Sequence, residues 1–308
     1  MTRTDFTEPR TDPARLRRLR QLLAERVAGP EVPLATRRAE FEAVMSKTPL
    51  VEGVSVEEVD AGGAPGQLIT PDGVTPVAAV LYFHGGGYGL GSARTVLPMA
   101  SRIALAARAV VVSLDYGLAP EHPFPVARDQ AVAAHTWLTA LLPTLPVFLG
   151  GDSAGGGLTV STLLALRDAG APVAGGFGIS PWTDLTIPGT SLEGNADTDP
   201  QVARWMLEEF SVNYVGPDGD RTDPGASPAL ADLIGLAPLL VQVSRAEGLY
   251  EDGCRLAEAA EKAGVDVTLQ TWPDVPHVWH GFAPKLLEAD AAIEEIGRWI
   301  DAHRNPAG

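Results

Sequence analysis

Residues 147–157 read VFLGGDSAGGG, and this stretch decides the fold. The apolar residues that open it predict a buried strand, and the residues from 158 onward predict a helix. Gly151-x-Ser153-x-Gly155 therefore lies between a strand and a helix, the setting in which this motif indicates a nucleophilic serine. Glycines on both sides let the sharp turn form without side-chain collisions. The hydroxyl of Ser153 would then stand at a helix N-terminus, where negative charge is favoured.

A glycine-rich turn or a nucleotide-binding loop is the alternative interpretation of the same stretch. The stretch lacks the lysine that a phosphate-binding P-loop needs. It also lies too late in the chain to be the first turn of a dinucleotide-binding unit. A hydrolase is the better interpretation of this motif.

Strands alternate with helices on both sides of this turn. Short apolar runs predict strands at residues 79–83, 109–114, 147–150, 175–179, 239–243 and 267–271. Periodic segments predict helices between them and after them, at residues 126–141, 158–169, 252–263 and 291–303. This alternation predicts an α/β fold with a mostly parallel central sheet flanked by helices on both faces.

A second glycine cluster follows the strand at residues 79–83. It reads His84-Gly85-Gly86-Gly87-Tyr88. Acyl transfer needs backbone N–H groups aimed at the oxygen that becomes negative, and glycines let the backbone come that close. The second motif thus supplies the N–H donors that a nucleophilic serine requires. The two motifs together indicate a serine hydrolase more specifically than either motif alone.

These two motifs, with Asp115-Tyr116 and the segment LAPEHPFP at residues 118–125, resemble the hormone-sensitive-lipase-like family of bacterial esterases. The resemblance runs from about residue 49 to the last helix. It implies an α/β-hydrolase fold with a helical cap, hydrolysis of short- to medium-chain acyl esters, and no cofactor. It also implies an oxyanion hole formed by Gly86, Gly87 and the N–H of Ala154, with His84 orienting the loop. Gly117 departs from the family, which commonly has arginine there, and we expect looser local packing.

The acid and the base of a catalytic triad should follow the serine in that order. Two histidines follow the last strand, and spacing against the family's final loop favours His277 over His280 as the base. The acid should follow the strand at residues 239–243, where Glu247 lies 30 residues before His277. Asp252 is the second candidate, although an acid in the first turn of a helix explains it equally well.

Residues 1–50 and 185–236 are predicted to form the cap, and residues 51–308 the catalytic domain to which the second segment is attached. Asp12 and Pro13 begin a helix in the first segment. Its apolar face comprises Leu16, Leu19, Leu22, Leu23 and Val27. Asp199-Pro200 is predicted to open a helix in the second. The candidate substrate-binding residues are Tyr88, Asp152, Trp182, Trp205 and Phe210.

Composition limits the partners. The chain has 308 residues and a formal net charge of −16, which should repel nucleic acid and anionic lipid and favour small neutral or cationic partners. Its one cysteine, Cys254, cannot form an intramolecular disulfide. Without a secretory signal or an apolar run of membrane-spanning length, we expect a cytoplasmic protein that binds a small-molecule ester and no metal. The sequence leaves a homodimer open.

Two other functions fit parts of this pattern. An amide or formamide hydrolase, or a dedicated deacetylase, would use the same triad on a different bond. A non-catalytic ligand receptor on a hydrolase scaffold is less consistent with the sequence, because serine, acid and histidine positions are all occupied. Reaction with a fluorophosphonate probe separates catalyst from receptor, and matched ester and amide substrates separate the two enzymes.

Overall fold

The computed structural model of the chain describes residues 1–25 and 28–305. Its strands are β1 (Thr2–Asp5), β2 (Val54–Asp60), β3 (Pro65–Pro71), β4 (Ala78–Phe83), β5 (Ala109–Leu114), β6 (Val147–Asp152), β7 (Gly175–Ile179), β8 (Leu239–Ser244) and β9 (Val267–Trp272). Its helices are α1 (Pro13–Ala24), α2 (Leu34–Met45), α3 (Leu97–Ala107), α4 (Val126–Leu141), α5 (Ala154–Asp168), α6 (Ser191–Gly194), α7 (Arg204–Val215), α8 (Tyr250–Lys262) and α9 (Leu287–His303). Short 3₁₀ helices occupy Pro228–Leu230 and Trp279–Phe282.

The strands form one sheet in the order β1-β9-β8-β7-β6-β4-β5-β3-β2. Neighbours from β1 through to β5 are parallel, whereas β3 and β2 run antiparallel at one edge. The predicted mostly parallel sheet is therefore confirmed. Register places Phe83 beside Gly151, and Asp152 beside Ile179. The carboxyl ends of β4, β6 and β7 thus meet at one edge of the sheet, where ligand sites of open α/β sheets form.

Helices cover both faces of the sheet. Helices α3 and α9 pack on one face in a cluster with residues of α1. Helices α4, α5 and α8 pack on the other. Every residue of β4, β5, β6, β7 and β8 is buried. This explains their continuous apolar character, because strands covered on both faces have no solvent-facing side.

The N-terminal segment, predicted to be a helical cap segment over residues 1–50, also contributes a strand to the sheet. Thr2–Asp5 form β1, which pairs with β9 at the edge of the sheet. Helix α1 is tied to α9, because the buried carboxylate of Glu288 accepts the backbone N–H of Thr11 at 2.9 Å. Its apolar face includes buried Leu16 and Leu23, while Val27 lies outside the described residues.

Helices α2 and α7 pack against each other beside the glycine loop that follows β4. Arg37 of α2 is paired with Glu209 of α7, and its guanidinium lies 5.6 Å from the ring centre of Phe210. Arg38 of α2 donates to the carbonyl of Gly89 at 2.8 Å. We retain residues 34–45 and 185–236 as the proposed cap. Within the described residues, no helix combines the length and apolar character needed to cross a membrane.

Candidate active site

Ser153 sits at the turn between β6 and α5 in a strained conformation, with φ 51° and ψ −120°. Few residues with a β-carbon adopt positive φ, and such a position is common where function requires it. The turn is held by its backbone: Ser153 N–H donates to Ile179 at 2.9 Å, and Trp182 N–H donates to the Ser153 carbonyl at 2.9 Å. The serine is partly exposed between two buried neighbours. The strand–turn–helix context predicted for the serine motif is what the structure shows.

Glycine is required at this turn because the backbone of a neighbouring strand occupies the space that a side chain would need. A β-carbon at Gly155 would overlap the carbonyl of Phe83, at the end of the neighbouring strand β4. The close approach of β4 and α5 brings the loop that follows β4 beside Ala154, the first residue of α5. The three predicted oxyanion-hole residues, Gly86, Gly87 and Ala154, therefore belong to adjacent segments.

The loop after β4 has an unusual backbone. Gly86 has φ +113° and Gly87 has φ +62°, conformations that glycine adopts readily. The Gly86 carbonyl accepts the N–H groups of Gly89 at 3.0 Å and Leu90 at 2.8 Å, so it is turned into the loop. Tyr88 follows with φ 61°. Hydrogen bonding of the carbonyl fixes the loop and constrains the directions of the neighbouring N–H groups.

His84 supports this loop from behind. Its Nδ1 pairs with the Gly85 carbonyl at 2.8 Å, and its ring stacks on Tyr116 with centroids 4.3 Å apart. Burial lowers the pKa of His84, which favours the neutral imidazole. The Tyr116 hydroxyl donates to the His84 carbonyl at 2.6 Å. These contacts are those of a residue that orients the loop.

Asp152 precedes the serine and is directed into the fold. Its carboxylate accepts the Tyr82 hydroxyl at 2.9 Å, and burial raises its pKa to about 6. A β-carbon at Gly85 would collide with the same carboxylate. Asp152 was predicted to bind substrate; the structure gives it partners beneath the glycine loop instead, and substrate contact stays a prediction.

His277 and Glu247 form a hydrogen-bonded pair. His277 Nδ1 lies 2.8 Å from Glu247 Oε2, and the Glu247 side chain is fully buried. The other carboxylate oxygen accepts the N–H of Ser244 at 2.7 Å, which fixes the carboxylate where β8 ends. Burial acts to lower the pKa of His277, but the hydrogen bond and charge of Glu247, together with the charges of Asp199 and Asp152, outweigh it and the pKa is raised.

The rival acid and base have other partners. His280 Nε2 bonds Gln242 Oε1 at 2.6 Å inside the protein, and burial lowers its pKa to about 3. Asp252 accepts the Thr183 N–H at 2.6 Å and pairs with Arg255 at 2.9 Å. His277 and Glu247 pair with each other, whereas His280 and Asp252 are engaged with other residues, so the geometry favours the residues that the sequence put first.

The loop that carries His277 is hydrogen-bonded to the end of β7, which also binds the backbone of Ser153. The residue after His277, Val278, donates its N–H to the Ser180 hydroxyl at 3.2 Å, and Ser180 follows the strand end that holds Ser153. Within the described residues no hydrogen bond joins the Ser153 hydroxyl to His277. Catalytic hydrogen bonds are often long in the absence of substrate and shorten in the complex.

The predicted pocket residues lie at the same end of the sheet. Tyr88, Trp182 and Phe210 are buried and Trp205 is partly exposed. Tyr88 stacks on Tyr214 with centroids 3.6 Å apart. A β-carbon at Gly87 would overlap the Phe210 ring, so this side chain of α7 covers the glycine loop. Their contact with substrate stays a prediction.

Three features were missed or misjudged from the sequence. Asp199 does not open a helix, since α7 begins at Arg204; it is buried and bonded to the loops that carry Glu247 and His277. Arg38 reaches the glycine loop from α2, although no sequence pattern distinguishes it from the other arginines. The expectation of loose packing at Gly117 is wrong, because a β-carbon there would lie 2.9 Å from that of His122.

Asp199, Glu247 and His277 also have the spacing of metal ligands. Their side-chain donor atoms lie within 4.8 Å of one another. Each carboxylate, however, accepts backbone N–H groups, and the Nδ1 of His277 is paired with Glu247. The donor atoms are thus engaged with one another and with the backbone, and we assign the cluster to orienting the histidine.

Comparison with known proteins agrees with this geometry. Residues 80–281 match a family model described as the alpha/beta hydrolase fold. The chain belongs to this family. The α/β-hydrolase is 41% identical to an esterase from the bacterial hormone-sensitive lipase family whose crystal structure superposes with a TM-score of 0.90, over 96% of this chain and 100% of that one. The resemblance stated from the motifs is therefore confirmed.

Curated relatives of this α/β-hydrolase have names that state an activity. An acetyl-hydrolase from Streptomyces hygroscopicus is 43% identical over 223 residues, which cover 72% of this chain and 74% of the relative. Carboxylesterase NlhH from Mycobacterium tuberculosis is 37% identical over 237 residues, covering 72% of each chain. Both alignments extend over more than two thirds of the relatives.

Proposed function

We propose that this α/β-hydrolase is a serine carboxylesterase that cleaves short- to medium-chain acyl esters with Ser153, His277 and Glu247. The observation that carries the proposal is the buried Glu247–His277 pair, 2.8 Å apart, held at the sheet edge where Ser153 occupies its strained turn. A serine hydroxyl is a weak nucleophile until a positioned base removes its proton. The pair supplies that base in a fixed orientation.

The mechanism is a two-step acyl transfer. His277 takes the Ser153 proton as the hydroxyl oxygen attacks the ester carbonyl, and Glu247 stabilises the imidazolium that forms. The N–H groups of Gly86, Gly87 and Ala154 hold the negative oxygen of the tetrahedral intermediate. His277 then protonates the departing alcohol. Water attacks the acyl-enzyme with His277 again as base, and the carboxylic acid leaves.

The relatives support a small ester as substrate. One is named an acetyl-hydrolase and another a carboxylesterase, which supports short acyl groups and keeps a dedicated deacetylase as the second candidate. The formal net charge of −16 favours a neutral or cationic substrate. A cytoplasmic location and a homodimer stay predictions.

The first experiment measures hydrolysis of p-nitrophenyl esters from acetate to dodecanoate by wild type, Ser153→Ala, His277→Ala and His280→Ala. We expect the first two variants to lose about four to six orders of magnitude in kcat, because the triad acts as a unit. His280→Ala should keep kcat within about tenfold while losing thermal stability, because it removes a buried hydrogen bond.

Full activity in Ser153→Ala would overturn the assignment of the nucleophile. Labelling of wild type, but not of Ser153→Ala, by a fluorophosphonate probe distinguishes an enzyme from a ligand receptor. Matched ester and amide substrates with the same acyl group then decide between the esterase and the amide hydrolase, since only the latter should cleave both at comparable rates.

A further inference from the structure

The segment at residues 191–201 binds the loop that carries the proposed catalytic acid. The Asn195 amide donates to the carbonyls of Arg245 at 3.0 Å and Glu247 at 2.8 Å. The Thr198 hydroxyl donates to the Ala246 carbonyl at 2.7 Å. Three consecutive carbonyls after β8 are thus satisfied by side chains from the 191–201 segment.

Asp199 extends these contacts to the loop of the proposed base. Its Oδ2 accepts the N–H of Gly248 at 2.9 Å, and its Oδ1 accepts the N–H of His277 at 3.4 Å. Only 1% of its surface is exposed. Burial raises the pKa of Asp199 above its ordinary value, while the charge of His277 and the N–H groups of Gly248 and His277 act against that rise and favour the carboxylate.

His277 therefore faces more than one carboxylate. Glu247 approaches from the loop after β8 and Asp199 from the 191–201 segment, while the charge of Asp152 acts from beneath the glycine loop, and each favours the protonated imidazole. One carboxylate oxygen of Asp199 and one of Glu247 lie within 4.8 Å of each other and of a single ring nitrogen of His277. In a buried site, a charge at this distance is weakly screened.

We propose that Asp199 is a second positioning residue for the reaction, which fixes the loops of Glu247 and His277 and supplies a second negative charge to the imidazolium. The inference rests on the proposed esterase function. Asp199 acts through His277 and touches neither substrate nor reacting atoms. A neutral amide at this position could accept only one of the two N–H groups, so the experiment must separate the effect of the charge from that of a lost hydrogen bond.

Asp199→Asn removes the charge and keeps the size of the side chain. We expect kcat with p-nitrophenyl acetate to fall on the order of tenfold, because the imidazolium loses one of its stabilising carboxylates. The acid limb of the kcat/KM profile should move to lower pH. The sign follows because loss of a negative charge lowers the pKa of His277, so the neutral base persists at lower pH.

Asn195→Ala is the matched control. It removes two hydrogen bonds to the same loop and changes no charge. It should lower kcat and melting temperature while the acid limb stays at its wild-type pH. Asp199→Glu, which retains a charge, should shift the limb less than Asp199→Asn. If Asp199→Asn does not fold, Asp199→Ser repeats the charge removal with room for a water molecule.

An unshifted acid limb in both Asp199→Asn and Asp199→Ser would overturn the charge role. An equal shift in Asn195→Ala would overturn it too, because loop packing would then explain the effect. Ser153→Ala, assayed alongside, separates a failure of the proposed function from a failure of the proposed role of Asp199. If Ser153→Ala stays active, the proposed function fails. If Ser153→Ala is inactive and the pH profile of Asp199→Asn is unshifted, only the role of Asp199 is rejected.

Discussion

At the residue scale, Gly87 combines two demands that only glycine meets together. Its φ of +62° disfavours any residue with a β-carbon, and that carbon would overlap the Phe210 ring. Because its N–H is a proposed donor to the oxyanion, even a small backbone displacement should matter for the reaction. The backbone conformation, the contact with Phe210 and the proposed oxyanion donor thus all constrain Gly87.

We predict that Gly87→Ala lowers kcat about 100-fold or more, the cost typical of losing one oxyanion donor. Steady-state kinetics with p-nitrophenyl acetate measures the loss. Gly73→Ala is the matched control, since Gly73 has a similar φ of +69° but no atom within 4 Å of an added β-carbon. It should cost about 1 kcal/mol of unfolding free energy and leave kcat unchanged. Wild-type kcat in Gly87→Ala would remove Gly87 from the oxyanion hole.

Local motifs made part of the site predictable. The serine turn and the glycine loop depend on backbone constraints that neighbouring residues impose, so their sequence identifies them. Glu247 and His277 were predicted from the order of the triad and from the spacing that the family resemblance implies, and the structure pairs their side chains. Asp199 did not, because its partners Gly248 and His277 lie 49 and 78 positions away, and an Asp-Pro pair equally predicts the start of a helix.

At the element scale, α2 is fastened to the glycine loop through one side chain. Arg38 donates from Nε to the Gly89 carbonyl and from Nη2 to the Ala119 carbonyl, both at 2.8 Å. The same guanidinium forms a two-pronged pair with Glu121 at 2.7 Å on each branch. A planar fork can make all these contacts at once, whereas an ammonium group cannot.

We predict that Arg38→Lys lowers kcat/KM about tenfold and reduces unfolding free energy by about 1–3 kcal/mol, since two charge-assisted bonds to carbonyls are lost. Arg17→Ala on α1 is the control, because that side chain is exposed. Ester kinetics and thermal unfolding measure the two effects. Equal behaviour of the two variants would show that α2 does not hold the loop.

Elements differed in how well the sequence predicted them. The central strands have continuous apolar runs, which buried parallel strands require, and all were predicted. Strands β2 and β3 lie at an edge, with alternating exposure in β2, and were not located. Strand β1 has only 4 residues and gains its conformation from pairing with β9, a partner more than 260 positions away. Helix α3 was also not predicted, because it packs against α9, which is distant in sequence, and the sequence does not show that contact.

At the scale of the whole molecule, the cap and the sheet meet at Phe210. This side chain is 3% exposed, and a β-carbon at Gly89 would lie 3.0 Å from its ring. It covers the glycine loop, and we propose that it borders the space for an acyl group bound to Ser153. The size of the cap side chains should therefore limit the acyl chain.

We predict that Phe210→Ala raises the ratio of kcat/KM for hexanoate over acetate about tenfold, because it opens that space. It should also reduce the free energy of unfolding by about 3–5 kcal/mol, because the substitution leaves a cavity in the protein interior. Val212→Ala is the control on the same helix, since Val212 is 48% exposed. An unchanged ratio in p-nitrophenyl ester assays would show that Phe210 does not border the acyl site.

The hydrogen bonds from residues 191–201 to the loops of Glu247 and His277 have a consequence for protein engineering. If the proposed cap holds the proposed acid and base in this way, we expect that it cannot be exchanged as a module. In chimeras that graft a relative's cap between β7 and β8, the loops of the proposed triad would be held by residues of the relative. The junction should therefore lie beyond Gln201, whose amide donates to the His277 carbonyl at 2.9 Å. Substrate range in this enzyme is better redesigned by point substitution within α7 than by transplanting the segment as a whole.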